Sequence, residues 1–183
     1  MSNRRRRIAI GVAAVALLQI AAIALYLRVE DDRGAKETFR FEKLRGDVLA
    51  PNILLERPDG TRVSLHAIGG NLRLVHFWAT WCPPCVEELP GLLATSDELA
   101  GDGLTLIAVS MDENWDVIRS FFAGDVPRNI YRAVHREAYK KFDVATLPDS
   151  YLVPSNGRLR ARYGGARDWR SHGAKEHLRN ALR

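Results

Sequence analysis

Cysteine is almost missing from this chain: Cys82 and Cys85 are the only two in 183 residues. Two cysteines make no disulfide-rich scaffold. Alone they also cannot close a structural zinc site, which needs four ligands. The histidines do not make up the shortfall. His66, His76, His135, His172 and His177 form no HxxxH or CxxH pair, and His172 and His177 are poorly spaced for one helical face. A sustained basic stripe is lacking too. The net charge is +5, but residues 34–157 carry 13 basic and 17 acidic side chains. The positive charge sits at the ends, in Arg4 to Arg7 and in Arg158 to Arg183, where eight basic residues meet only Asp168 and Glu176. With no interleaving of aromatic and basic residues, this is not the footprint of a nucleic-acid binder. Internal repeats and low-complexity tracts are absent as well.

One long apolar run is present. Ile8 to Leu27 is twenty uncharged residues with Gln19 as the polar exception. At 1.5 Å per residue it would span about 30 Å, the thickness of a bilayer core. Four arginines on one flank and Glu30-Asp31-Asp32 on the other put the N-terminus in the cytoplasm and export the rest. The expected organisation is a cytoplasmic basic tail at 1–7, a transmembrane anchor at 8–27, a linker at 28–43 and one domain at 44–183. A cleaved signal peptide is the competing reading, although its apolar core is usually about 7–15 residues. A helix of a soluble protein is a third.

Within the domain, Arg57-Pro58-Asp59-Gly60 predicts a tight turn between Leu54-Leu55 and the alternating Thr61 to Leu65. Leu72 to Trp78 and Leu104 to Ser110 are nearly all apolar and predict buried central strands. Helices are expected from about Pro83 to Leu99, after a cap at Asp112 or Asn114, over Arg136 to Phe142, and from Asp168 to Leu182. Further strands are expected at Ile130 to Val134, Thr146 to Val153 and Leu159 to Tyr163. The order is a hairpin, alternating strands and helices, a second hairpin and a terminal helix. It predicts an α/β fold with a mixed central sheet flanked by helices on both faces.

The two cysteines fall where a strand passes through a turn into a helix, in Trp81-Cys82-Pro83-Pro84-Cys85. Free amides and the positive end of the helix dipole favour a thiolate on Cys82. Cys85, one turn in, is near enough to close a disulfide with it. This is a thiol-disulfide site in outline. Pro83 suits the first helical position, where its missing N–H would have no partner. Pro84 removes a further amide that could have faced the sulfur.

With these residues placed, the chain resembles the thioredoxin superfamily, and within it the membrane-anchored TlpA/ResA-type thiol-disulfide oxidoreductases of bacteria. The resemblance rests on the Ala50-Pro51 lead-in, the Asp59-Gly60 hairpin and the string Phe77-Trp78-Ala79-Thr80-Trp81-Cys82-Pro83-Pro84-Cys85. Glu88, Pro90, Val109-Ser110-Met111-Asp112 and Thr146-Leu147-Pro148 extend it over about residues 46–170. It implies a thioredoxin-like fold with an N-terminal β-hairpin and a helix-strand insertion, preceded by one transmembrane helix. It implies Cys82 as nucleophile, Cys85 as resolving thiol, and no cofactor beyond the Cys82-Cys85 disulfide.

By the same resemblance Pro148 is a cis-proline facing the disulfide, with Leu147 offering backbone to an extended substrate segment. A trans proline at a sheet edge is the plain alternative. Glu88 becomes a buried glutamate that tunes the thiols, against a merely solvated helix residue. Trp78 and Trp81 are packing and lid residues, and Pro90 would kink the helix. His76 departs from the family, standing where thioredoxins hold a buried acid. It is read either as a proton partner of Cys85 or as a satisfied core histidine. Trp115 and Trp169 have no family match and read as packing. The basic C-terminal stretch is a solvated face or a contact for anionic lipid.

The implied activity is reduction of disulfides in exported proteins, such as apocytochrome c or copper-site assembly proteins. Electrons would come from a membrane donor of the DsbD/CcdA kind. The implied location is the inner membrane, with the domain in the periplasm or on the outer face. A thiol oxidase or isomerase, a peroxiredoxin-like peroxidase and a non-catalytic binding or chaperone module are the alternatives.

Overall fold

The computed structural model describes residues 11, 13–28, 39–44, 48–135 and 137–183. The chain divides into two units, Met1–Thr38 and Phe39–Arg183. In the first, residues 13–28 form a helix, α1, with every side chain exposed. No helix among the described residues is long and apolar enough to cross a membrane. The basic tail, residues 8–10 and 12 of the expected anchor, and residues 29–38 of the expected linker lie outside the described residues.

The second unit starts at Phe39, inside the stretch expected as a linker. The reason is aromatic packing. Phe39 and Phe41 lie 5.5 and 5.8 Å from the Tyr163 ring, and both also meet His177. Next to them β1 (Glu42–Lys43) pairs with β8 (Ala161–Gly164). The other strands are β2 (Leu54–Glu56), β3 (Arg62–Ser64), β4 (Leu72–Trp78), β5 (Leu104–Ser110), β6 (Ile130–Ala133) and β7 (Asp149–Pro154). They form one sheet in the order β1-β8-β7-β4-β5-β6-β2-β3. β4, β5 and β6 run parallel, and β7, β8 and the β2–β3 hairpin are antiparallel to their neighbours. The mixed sheet expected from the strand-helix alternation is therefore present. The hairpin turn is closed by Gly60 at φ 82°, and by Asp59 Oδ1, which accepts from the Thr61 N–H and hydroxyl.

β4 is buried at all seven positions because layers cover both faces of it. Leu72, Leu74 and Trp78 face the core under α2 (Pro83–Leu99), α3 (Trp115–Phe121) and α5 (His172–Leu182). Val75 and Phe77 face a second core with Ile107, Val109, Tyr151 and α4 (Glu137–Lys141). Burying each large apolar side chain contributes about 1.5–3 kcal/mol, so β4 is a rigid base for whatever stands at its end. His76 shares the parity of Leu74 and Trp78 and so points toward α2.

Most boundaries shift by a residue or so, and two starts move further. β7 opens at Asp149, not Thr146, because residues 146–148 form the lip of a cleft. α5 opens at His172, not Asp168, because Ser171 is its cap, accepting from the Ala174 N–H. At α3 the cap is Asn114, which accepts from Asp116 and Val117. Asp112 is used elsewhere.

Candidate active site

The end of β4 hands the chain to α2 through Ala79-Thr80-Trp81. The turn is fixed from β5. Met111 N–H donates to the Trp78 carbonyl at 2.9 Å. Buried Asp112 accepts from the Thr80 N–H at 3.0 Å and from the Thr80 hydroxyl at 2.8 Å. It also accepts from Ser110 Oγ at 2.7 Å. Cys82 then caps α2, with Pro83 and Pro84 in the first helical positions. The cysteines form a disulfide, S–S 2.06 Å. Cys82 is 5% exposed and Cys85 is fully enclosed, as the positions at and inside the first turn imply.

The helix start offers Cys82 Sγ little. Residues 83 and 84 have no N–H. The next two amides, of Cys85 and Val86, already donate to the Cys82 carbonyl at 3.0 and 3.1 Å. A Cys82 thiolate therefore has the helix dipole but no spare first-turn amide to bond it.

A cleft of about 640 Å³ opens beside Cys82, lined by Trp81, Pro83, Pro84, Met111, Tyr139, Val144, Ala145, Thr146 and Leu147. Among the described residues, no charged side chain lines it. Trp81 stands at its edge, 67% exposed. The Leu147-Pro148 peptide is cis, as the resemblance implied. Leu147 is on the cleft wall and Pro148 is buried behind it.

The lip is held from below by a network that sequence reading missed. Asp149, 1% exposed, accepts from Arg162 Nε and Nη2 and from the Tyr151 hydroxyl. Arg162 Nη2 also donates to the Asp143 carbonyl, and Tyr151 to the Phe142 carbonyl. These bonds tie β7 and β8 to the loop that carries Val144.

Behind the disulfide, Glu88 lies one turn beyond Cys85 on α2. Its Oε2 accepts from the Arg167 N–H at 2.5 Å. Its Oε1 lies 3.5 Å from His76 Nε2, the two side chains being 3% and 0% exposed. Burial pushes the Glu88 carboxyl up to about 7, against the pull of the Arg167 amide, the Trp169 indole and the Arg167 charge. The indole N–H itself reaches no partner in good hydrogen-bond geometry. Burial holds the His76 imidazole down at about 3, so it is neutral. Its Nδ1 meets Ser150 Oγ at 2.9 Å. Nδ1 is thus taken up by Ser150, while Nε2 faces Glu88 Oε1 without a hydrogen bond in good geometry.

Of the residues singled out in the sequence, Trp81, Cys82, Pro83, Pro84 and Leu147 come together at the cleft, with Pro148 behind it. Cys85 is the enclosed half of the disulfide, and Glu88, one turn beyond it on α2, faces His76. Trp115 donates from Nε1 to Glu56 at 2.6 Å, and Arg132 meets the same carboxylate, pinning the hairpin to β6 and α3. Trp169 is buried against Phe39 and Tyr163. The basic C-terminal stretch is partly consumed internally: Lys175 and Arg179 both hold Glu98, and Arg162 holds Asp149. Asp112, Ser150 and Asp149 were missed as site supports. In the sequence, Ser150 and Asp149 are marked by position alone, just after Pro148, and Asp112 by its place in the Val109-Ser110-Met111-Asp112 match.

This fold, with a cystine at the junction of strand and helix and a cis-proline lip opposite, defines a thioredoxin-like domain with a redox-capable disulfide. The chain belongs to the AhpC/TSA family, which matches residues 47–162. Thiol-disulfide oxidoreductase ResA of Bacillus subtilis (strain 168) is 28% identical over 111 residues, 60% of this chain and 62% of that protein. Sporulation thiol-disulfide oxidoreductase A of the same organism is 30% identical over 94 residues, 49% and 57% respectively. The matched stretch thus spans less than two thirds of either relative. Among solved structures, a candidate thiol:disulfide interchange protein DsbE from Chlorobium tepidum superposes with a TM-score of 0.66 at 25% identity, covering 78% of this chain and all of that one. StoA from Bacillus subtilis gives 0.59 at 24% identity, covering 75% of this chain and all of that one.

Proposed function

We propose that the protein is a thiol-disulfide oxidoreductase working in the reducing direction on disulfides of exported proteins. Cys82 Sγ, as thiolate, attacks one sulfur of the substrate disulfide. The other sulfur leaves as a thiolate and takes a proton from water. Cys85 gives its thiol proton to the Glu88 carboxylate, and its sulfur attacks Cys82 Sγ. The second substrate sulfur leaves as a thiolate. Two electrons pass to the substrate, and the Cys82-Cys85 disulfide remains. Exchange of this kind needs no cofactor besides the cysteine pair. The uncharged cleft suits an extended segment with apolar residues around its cystine, laid along Leu147.

The direction rests on one observation: no first-turn amide is left to bond a Cys82 thiolate. A strong oxidant of this fold class owes its potential to a stabilised reduced form. Here that stabilisation is weak, so the reduced form is the better electron donor. Equilibration with glutathione buffers should give a potential nearer the roughly −270 mV end of the class than the −120 mV end. A value near −120 mV would overturn the reductive assignment and favour an oxidase or isomerase. The family match favours one further reading, peroxide reduction; peroxide consumption by the purified protein at the rate of disulfide exchange would support it.

The uncharged run at 8–27, flanked by Arg4 to Arg7, supports an inner-membrane anchor with the domain on the periplasmic or outer face. Reduction in an oxidising compartment needs a supply of electrons, which a membrane donor of the DsbD/CcdA kind would provide. By the family resemblance, apocytochrome c and copper-site assembly proteins are the substrates we infer for this protein. Alkaline extraction of membranes, with the protein staying in the pellet, is the result the anchor requires.

A further inference from the structure

We propose that Ser150, His76 and Glu88 form a proton-linked tautomer switch, in which neutral His76 gives Glu88 a hydrogen-bond partner in both of its protonation states. The proposal builds on Glu88 as the acceptor of the Cys85 proton, for then Glu88 must be stable with and without it.

The geometry leaves few alternatives. His76 is fully buried on β4, and Glu88 reaches it from α2. His76 Nε2 and Glu88 Oε1 are both buried without a hydrogen-bond partner, and they face each other across 3.5 Å, so a small closing movement would let each satisfy the other. A neutral imidazole carries one N–H, so one ring nitrogen donates and the other accepts. Glu88 Oε1–H needs an acceptor at Nε2, whereas ionised Oε1 needs a donor there. A tautomer fixed at Nδ1–H would set the lone pair of Nε2 against a carboxylate. Most acceptors at Nδ1, such as a main-chain carbonyl, would impose that state. Ser150 does not. Its hydroxyl both donates and accepts and turns to suit.

The two states follow. With Glu88 protonated, Oε1–H donates to Nε2 and Nδ1–H donates to Ser150 Oγ. With Glu88 ionised, Nε2–H donates to Oε1 and Ser150 Oγ–H donates to Nδ1. Exactly one proton, that of the carboxyl, separates them, and the imidazole stays neutral throughout. Oε2 keeps its bond from the Arg167 amide in both.

Among the described residues, with the cysteines joined, no group other than His76 stands to accept from a protonated Oε1, and the Trp169 indole is a rival donor to the ionised form alone. Cys85 stands one turn before Glu88 on α2, and Glu87 is turned outward. From the chain after β8, the Arg167 guanidinium is engaged with the carbonyls of Arg40, Gly165 and Ala166. Trp169 offers a donor only. From β5, Ala108 lies beside His76 in the sheet and carries no polar side chain. Burial places the Glu88 midpoint near neutrality and keeps His76 uncharged, so the switch would operate at working pH.

The test is nitrogen-15 spectroscopy of the full-length protein labelled at histidine, with the Glu88 carboxyl followed by carbon-13 over pH 5–9. His76 is assigned by its loss in His76→Leu. The expected result is an exchange of character between the two His76 nitrogens, at the midpoint of the Glu88 titration. A His76 that keeps one tautomer across that titration, or that becomes an imidazolium, overturns the proposal. In His76→Leu the Glu88 midpoint should rise by about one pH unit, a tenfold change in proton affinity, since the ionised form loses the stronger, charge-assisted bond. An unmoved midpoint contradicts the switch, because a merely structural histidine would change stability alone. Glu88→Gln separates this proposal from the reading beneath it. If that variant keeps the wild-type pH profile of thiol exchange while wild-type His76 still changes tautomer, the base role fails and the switch stands.

Discussion

Removing either Glu88 or His76 should uncover a pH dependence of stability that the wild-type protein conceals. The signs are opposite. His76 has its folded pKa depressed from 6.5 to about 3 by burial. Below pH 6.5 the unfolded chain takes up a proton that the folded one refuses, so stability falls as pH drops from 6.5 toward 3. Glu88 has its folded pKa raised from 4.5 to about 7 by burial. Above pH 4.5 the unfolded chain releases a proton that the folded one keeps, so stability falls as pH rises from 4.5 to 7. Each contributes about 1.4 kcal/mol per pH unit. Between pH 4.5 and 6.5 the two slopes cancel. Glu88→Gln keeps the bond from Arg167 and removes the carboxyl. Over that window its stability should climb with pH by on the order of 3 kcal/mol relative to wild type. His76→Leu should fall by a similar amount, and the double variant should return to the wild-type slope. Urea denaturation at half-unit steps of pH measures all four. Four parallel curves would refute the buried, neutral state of both groups.

Three other outcomes are expected. Asp112→Ala strips acceptors from Thr80 and Ser110, and should cost about 2–3 kcal/mol in urea melts while slowing thiol exchange. A variant with intact stability would show that the turn before Cys82 is held by something else. Asp149→Ala leaves Arg162 Nη2 and the Tyr151 hydroxyl only the Asp143 and Phe142 carbonyls and should cost about 2–3 kcal/mol, with Asp149→Asn recovering part of it by keeping the tyrosine bond. Trp81→Ala removes an exposed ring, so stability should change by less than about 0.5 kcal/mol. KM for peptide disulfides should rise with kcat little altered, and a marked loss of stability would mean the ring is packed instead.

The parts of the fold legible in the sequence were those where local chemistry and tertiary packing agree. Leu72 to Trp78 is apolar throughout because it is covered on both faces, and Asp59-Gly60 makes a turn from its own side chain and φ. The cysteine pair was equally plain, since its spacing and the proline behind it fix the helix start. What escaped notice depends on contacts across the chain. Phe39 and Phe41 looked like part of a linker because their partners, Tyr163, Trp169 and His177, come more than a hundred residues later. Asp112 resembled a helix cap, because an acid before a helix usually is one. Only the fold reveals that Thr80 stands opposite it. Ser150 drew no attention at all, being a small residue in an apolar strand. Its meaning appears once β7 is paired with β4 and its hydroxyl meets His76.

The central claim is that Cys82 attacks and Cys85 resolves. It is tested most directly by mixing Cys85→Ser with a disulfide-bonded protein substrate and looking for a covalent adduct. The account predicts an adduct joined through Cys82 that a reductant releases. It predicts none with Cys82→Ser, whose remaining thiol is enclosed. Equal adducts from the two variants, or adduct from Cys82→Ser alone, would contradict it.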